Sequence, residues 1–278
     1  MDDLATYAEN TWCPGCGNFG ILGAFKKAVR LLEAEGLRRN ELTIVTGIGC
    51  HGKMFDYLWL SGFYGLHGRS VATAQGMKLA NPNLKVVVFA GDGDAYGEGI
   101  AHLIFAAKRN ADITLIVHNN GTYGLTTGQA TPTSVRGFRG PSTPQGSVEE
   151  PLNPLAVMLS AGASFVARGY PMKLDHLADL MARAIRHEGF ALLDVLQPCV
   201  TFNNTYDLYN RTVDELESMP ASLEESLSVV RRTDRLAIGV MRQVSAAPHH
   251  RLLQGDRIPV TTRGSVAQRV AAVREILA

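Results

Sequence analysis

The chain has 278 residues, 46% of them apolar, and a formal net charge of +1, which is enough apolar material for one large α/β core or two small ones. The balanced charge selects no charged partner, and no basic patch interleaved with aromatics supports a nucleic-acid role. No basic N-terminal region leads into an apolar stretch, and no apolar run approaches bilayer-spanning length, so no membrane association and a cytoplasmic location are expected.

In chain order, the patterns predict a helix near 21–35, a strand at 42–46 and a helix near 69–80. A β-branched run at 85–90 reads as a buried strand, an amphipathic stretch at 98–110 as a helix, and 113–117 as a second buried strand. Residues 122–151 are rich in Gly, Pro, Ser and Thr and form a long functional loop. A helix near 154–161, a strand at 164–167, a helix near 174–187 and a strand at 191–196 follow. This alternation predicts an α/β fold with a doubly wound, mostly parallel sheet. Residues 1–204 are expected to form the α/β domain, with 205–278 as an extension packed on it or on a partner. Within that extension the pattern weakens, 245–263 is polar and irregular, and 265–277 reads as a short amphipathic helix.

The most informative segment is 91–120. GDGDAYGEG closes the strand at 85–90, and Asn119 and Asn120 close the next one. Ligands of parallel sheets sit outside the carboxyl ends of the strands, where Asp92 and Asn120 would both lie. Glycine at 91 and 93 lets backbone amides approach phosphate oxygens, while a carboxylate and an amide oxygen suit Mg2+. GDG alone is more often an ordinary turn with an N-cap aspartate, and the following Asn pair reverses that weighting. Together the two motifs resemble the thiamine diphosphate fingerprint. That resemblance implies Asp92, the Asn120 side chain and the Thr122 carbonyl on magnesium, with Gly93 and Asp94 beside the diphosphate.

All four cysteines lie in loop-like contexts: Cys13 and Cys16 in WCPGCG, Cys50 in GIGCHGK, Cys199 in QPCVTFNN. Disulfides suit a cytosolic chain least, buried free thiols are the plain alternative, and the glycine-rich Cys-Pro-Gly-Cys-Gly knuckle favours a metal. Zinc and a 4Fe–4S cluster both take four thiolates. One local pair plus two distant cysteines is less usual for structural zinc. The distant ones follow strands, so the fold would assemble the site, with Cys50 on the same edge as Asp92. Amides of Gly15 and Gly17 are expected to hydrogen-bond the sulfurs.

Taken together, WCPGCGNFGIL, GIGCHGK, HGR at 67–69, KLANP at 78–82, GDGD, HNN, YGLTTGQATPTS and QPC resemble the β subunit of 2-oxoacid:ferredoxin oxidoreductases over about residues 11–204. The resemblance implies a thiamine diphosphate-binding fold, and one 4Fe–4S cluster on Cys13, Cys16, Cys50 and Cys199. It implies a thiamine pocket lined by Ile48, Gly49, Cys50 and His67, with His51, Gly68 and Gly91 also at the cofactor and Gly124 and Leu125 beside the diphosphate. His67, His51 and Lys53 are the candidate catalytic groups, and Lys53 matches a position that can face the substrate carboxylate. His51 has the plainer reading of a histidine ordered by a nearby carbonyl, and Lys53 that of a solvated loop lysine. The implied reaction is coenzyme A-dependent oxidative decarboxylation of a 2-oxoacid with electrons passed to ferredoxin, in either direction. It also implies an α subunit that brings the glutamate facing the aminopyrimidine. Where the family often reads HGRALPVATG this chain has HGRSVATAQG, so Ala72 and Gln75 replace a proline and a threonine in one pocket wall. Two competing readings are a non-redox thiamine decarboxylase or synthase with structural zinc, and a cluster-binding electron-transfer scaffold.

Overall fold

The computed structural model describes residues 4–261 and 264–277. Its centre is an eight-stranded sheet, whose inner strands are built from runs too apolar to face water on either side. The strands are β1 (Leu42–Thr46), β2 (Ser61–Tyr64), β3 (Lys85–Gly91), β4 (Thr114–Asn119), β5 (Phe165–Gly169), β6 (Ala191–Leu196), β7 (Val213–Glu215) and β8 (Leu236–Gln243). Their spatial order is β2-β1-β3-β4-β6-β5-β8-β7. Every pairing from β2 through β5 is parallel, whereas β8 runs antiparallel to β5 and carries β7 at the far edge. The expected doubly wound, mostly parallel sheet is thus present.

Side chains alternate across each strand, so β3 feeds both cores. Val87 and Phe89 pack on one face with Ile21 and Phe25 of α1 (Asn18–Ala34) and Leu177 and Met181 of the later helix Leu174–Arg186. Val86, Val88 and Ala90 pack on the other with Leu103, Leu155 and Val71, which belong to helices Ile100–Lys108, Pro154–Ser160 and Ser70–Ala80.

Four departures from the predicted elements have local causes. The four residues of β2 are all exposed, so the edge strand carries no burial pattern to read. After Asp92 the chain first makes a π-type turn, Gly93–Glu98, before the α-helix begins at Ile100. Beyond residue 204 the chain continues in regular elements: helices Tyr206–Thr212 and Leu223–Val230 accompany β7 and β8. Helix His249–Gln254 interrupts the segment read as irregular, whose last residues, Thr262 and Arg263, lie outside the described residues. The helix Val266–Leu277 buries none of its residues within the chain. Among the described residues no helix is long and apolar enough to cross a membrane.

Candidate active site

Four strands deliver the site to one edge. The loops leaving β1, β3, β4 and β6 begin at Gly47, Asp92, Asn120 and Gln197, all at carboxyl ends, where a parallel sheet leaves amides and side chains open to a ligand. They enclose a cleft lined by Ile48, Gly49, Cys50, His51, His67, Gly91, Asp92, Gly93, Asp94, Asn120, Thr122, Gly124 and Leu125, together with His118, Tyr123, Thr126 and Gln197. Of the positions named for the thiamine cofactor or for catalysis, two lie outside that lining. Gly68 stands behind it, its amide donating to Asp94 Oδ1 at 2.6 Å. Lys53 turns away, its Nζ donating to Thr11 Oγ1 at 2.7 Å and to the Thr11 carbonyl at 3.3 Å.

Asp92 is buried, and the hydroxyls of Thr131 and Thr133 donate to its Oδ2 at 2.5 and 2.6 Å. Burial pushes its pKa up, and these hydroxyls with neighbouring backbone amides oppose the shift. Asn120 directs its Oδ1 at the Thr122 amide (3.0 Å) and its Nδ2 at Gln197 Oε1 (2.9 Å). Gly93 is required by close approach, since a Cβ there would stand 2.2 Å from the Tyr123 ring.

Around Asp94 lie two histidines. His51 Nε2 is 3.4 Å from Asp94 Oδ2, and His67 Nδ1 is 3.1 Å from Asp94 Oδ1 and 3.3 Å from Glu98 Oε2. Both nitrogens, and Asp94 Oδ2, are buried without a hydrogen-bond partner, because proximity without alignment makes no hydrogen bond. His118 is buried with Nδ1 on Asn18 Oδ1 at 2.8 Å, leaving Nε2 unpartnered. Burial, and secondarily His51, push its pKa well below the ordinary imidazole value, so His118 is neutral. A buried polar atom left unpaired is costly, and four of them around one cleft fit a ligand that is polar itself. A thiamine diphosphate, with its phosphate oxygens and aminopyrimidine nitrogens, meets that requirement.

The four cysteines converge beside this cleft. Cys16 is pushed up to about 11 by burial first and then by the Cys199, Cys50 and Cys13 thiols, while the Asn18 backbone amide pulls the other way. Burial likewise raises Cys50, helped by Cys199 and Cys13 and opposed by Lys53. A Cβ at Gly124 would lie 3.6 Å from Cys50 Sγ and 3.8 Å from Cys199 Sγ, so this part of the cleft wall faces two thiols. The expectation of a Gly17 amide on sulfur is corrected: that amide donates to the Pro198 carbonyl at 3.1 Å, and Asn18 acts on Cys16 instead. Among the described residues no group of three or more His, Cys, Asp or Glu side chains forms a ready-made site for a metal ion. Four thiols brought together in this way, with those of Cys16 and Cys50 pushed up, nevertheless fit a group that displaces their protons.

Sequence reasoning missed His118, Gln197, Thr131 and Thr133. The threonines sit in the TPTS of the long loop, and Gln197 in QPC, so the motifs were visible while the roles of these members were not.

Residues 47–195 match the thiamine pyrophosphate enzyme C-terminal TPP-binding domain. The chain is 47% identical over 255 residues to the 2-oxoacid:ferredoxin oxidoreductase subunit beta of Saccharolobus solfataricus, covering 90% of this chain and 80% of that one. This chain belongs to the 2-oxoacid:ferredoxin oxidoreductase β subunits. It is also 42% identical to the 2-oxoglutarate oxidoreductase subunit KorB of Mycobacterium tuberculosis, over 73% of this chain and 53% of that one. Among solved structures it resembles a 2-oxoglutarate:ferredoxin oxidoreductase from Magnetococcus marinus with 2-oxoglutarate, coenzyme A and succinyl-CoA bound, with a TM-score of 0.89 at 34% identity, covering 98% of this chain and 94% of that one. The family makes this chain a subunit of an oxidoreductase, and a β subunit implies an α partner.

Proposed function

We propose that this β subunit, with its α subunit, carries out the coenzyme A-dependent oxidative decarboxylation of a 2-oxoacid, passing the electrons to ferredoxin through a 4Fe–4S cluster on Cys13, Cys16, Cys50 and Cys199. The observation that carries the reading is the shared wall of cleft and thiols: Cys50 belongs to both, and Gly124 lies against two sulfurs. Asp92, Asn120 and the Thr122 carbonyl would hold Mg2+ and with it the diphosphate.

When bound, thiamine diphosphate supplies an electron sink for decarboxylation and the cluster a one-electron exit. The chain's own residues prepare the place. Thr131 and Thr133 fix the Asp92 carboxylate, Asn120 is oriented from both ends of its amide, and neutral His118 offers a fixed polar contact. Asp94 stands between His51 and His67, with one carboxylate oxygen near each imidazole.

The glutamate that faces the aminopyrimidine would come from the α subunit. Trp59, Phe63 and Leu66 are exposed on and beside edge strand β2, next to His67, and this apolar face suits that partner. The four free cysteines suit a reducing, cytoplasmic compartment.

The test assays the anaerobic αβ complex with a panel of 2-oxoacids, coenzyme A and a viologen acceptor, and repeats it with Asp92→Ala. Acceptor reduction by the wild type, lost in the variant, is expected. Equal rates would contradict the cofactor assignment, and the preferred 2-oxoacid emerges from the same panel.

A further inference from the structure

Gln197 occupies the gap between the two halves of the site. It is buried, and its amide donates to the Asn119 carbonyl at 2.8 Å, continuing the ladder between β4 and β6. Its side chain uses every polar group it has. Oε1 accepts from Asn120 Nδ2 at 2.9 Å, while Nε2 donates to the Pro198 carbonyl at 2.6 Å and to Cys16 Sγ at 3.5 Å. The carboxamide can point only this way, because a flip would set two N–H groups against each other at Asn120 and two oxygens against each other at Pro198.

The consequences run in two directions. Asn120, having given Nδ2 to Gln197, is left with Oδ1 turned to the Thr122 amide and the cleft. Cys16, half-buried, receives a neutral donor on its sulfur. The geometry is protected from the other side by Gly17, where a Cβ would stand 2.9 Å from Pro198 Cδ and 3.1 Å from Gln197 Cγ.

We propose that Gln197 is a positioning residue that couples the two cofactor sites, orienting Asn120 toward the metal-bound diphosphate with its oxygen and tuning the sulfur of Cys16 with its nitrogen. The inference rests on the functional reading above, in which Asn120 and Cys16 are ligands. Its physical content is direct. An N–H donor on a cluster sulfur stabilises the more negative, reduced state and raises the potential. An amide held at one end cannot rotate its other end away from a ligand.

The experiment uses the anaerobically purified αβ complex as wild type, Gln197→Leu and Gln197→Glu. Three quantities are measured: iron content, the midpoint potential by dye-mediated titration followed by electron paramagnetic resonance, and the affinity of the cofactor-depleted complex for Mg2+–thiamine diphosphate. Leucine removes both contacts, so the potential should fall and cofactor affinity should weaken by about 10-fold or more, the scale that outer partners of metal ligands carry. Glutamate keeps an acceptor for Asn120 but puts a negatively charged oxygen where the donor to sulfur stood, so the potential should fall further than in the leucine variant while affinity stays within about threefold of wild type. If the leucine variant does not assemble, the glutamate variant alone decides by this split. Iron-loaded variants with an unchanged potential, or two variants that weaken cofactor binding equally, would overturn the role of Gln197 and leave the functional reading standing. Wild-type complex without iron would overturn both.

Discussion

Two clusters of buried polar groups, one at each edge of the sheet, are satisfied to different degrees. At the amino edge, Lys78 Nζ pairs with Asp112 Oδ2 at 2.7 Å and donates to the Leu84 carbonyl at 2.7 Å, while Asp112 Oδ1 accepts from the Gly189 amide at 3.0 Å. Close by, Asn110 Oδ1 accepts from Ser164 Oγ and the Phe190 amide, and its Nδ2 donates to Ala246 and Ala247. Each of these side chains is paired. At the carboxyl edge His51 Nε2, His67 Nδ1, Asp94 Oδ2 and His118 Nε2 are buried and unpaired. Polar groups that answer one another hold a fold together, whereas four unpaired ones lining a single cleft fit a polar ligand.

The contrast can be broken first where stability resides. Asp112→Ala leaves Lys78 buried without its counter-charge and should cost about 3 to 5 kcal/mol, read as a lower unfolding midpoint, with activity retained well below that midpoint. Asp94→Asn, which changes an atom that has no partner, should leave the midpoint within about 1 kcal/mol of wild type while impairing turnover. A large stability loss from the second substitution would erase the distinction between the edges.

Next in size is the support under Asp92. Thr133→Val removes one of two hydroxyls on its Oδ2 and should weaken Mg2+ affinity by about 10- to 100-fold, measured by metal titration of the thiamine diphosphate complex.

The smallest effect is in acid. Burial raises the Asp112 pKa, but the Lys78 charge, the Lys78 hydrogen bond and the Gly189 amide outweigh it and hold the group below its ordinary value. The stability so gained is complete above the unfolded carboxyl pKa of about 3.9 and is lost as pH falls through the lower folded value. Wild type should therefore exceed Asp112→Asn in stability at neutral pH, with the gap narrowing in acid denaturation scans.

Much of this was legible in the sequence for a simple reason. Strands such as 85–90 and 113–117 are near-continuous apolar runs, as is 191–196 apart from Asp194, which a covered parallel sheet explains, and their ends then locate Asp92, Asn120 and Cys199. Edge strand β2 was not legible, because Phe63 and Tyr64 face outward like loop residues. β8 was obscured by Gly239, whose φ of 127° and place beside the irregular pairing with β5 interrupt the strand pattern. Gln197 and His118 carry no spacing rule. Their importance comes from contacts with Asn120, Cys16 and Asn18 across the fold, which no local pattern records. Lys53 shows the converse, a residue placed by motif alone whose side chain turns to Thr11.

The central claim is that cleft and cysteines form one redox site. It is tested most directly by metal analysis and anaerobic spectroscopy of the wild-type αβ complex before and after addition of a 2-oxoacid with coenzyme A. The account predicts about four irons per β chain, the content of one 4Fe–4S centre, in excess of any brought by the α subunit, and visible absorbance that bleaches when the 2-oxoacid is added. A β chain that is colourless and holds one zinc, or one whose iron does not respond to any 2-oxoacid, would contradict it.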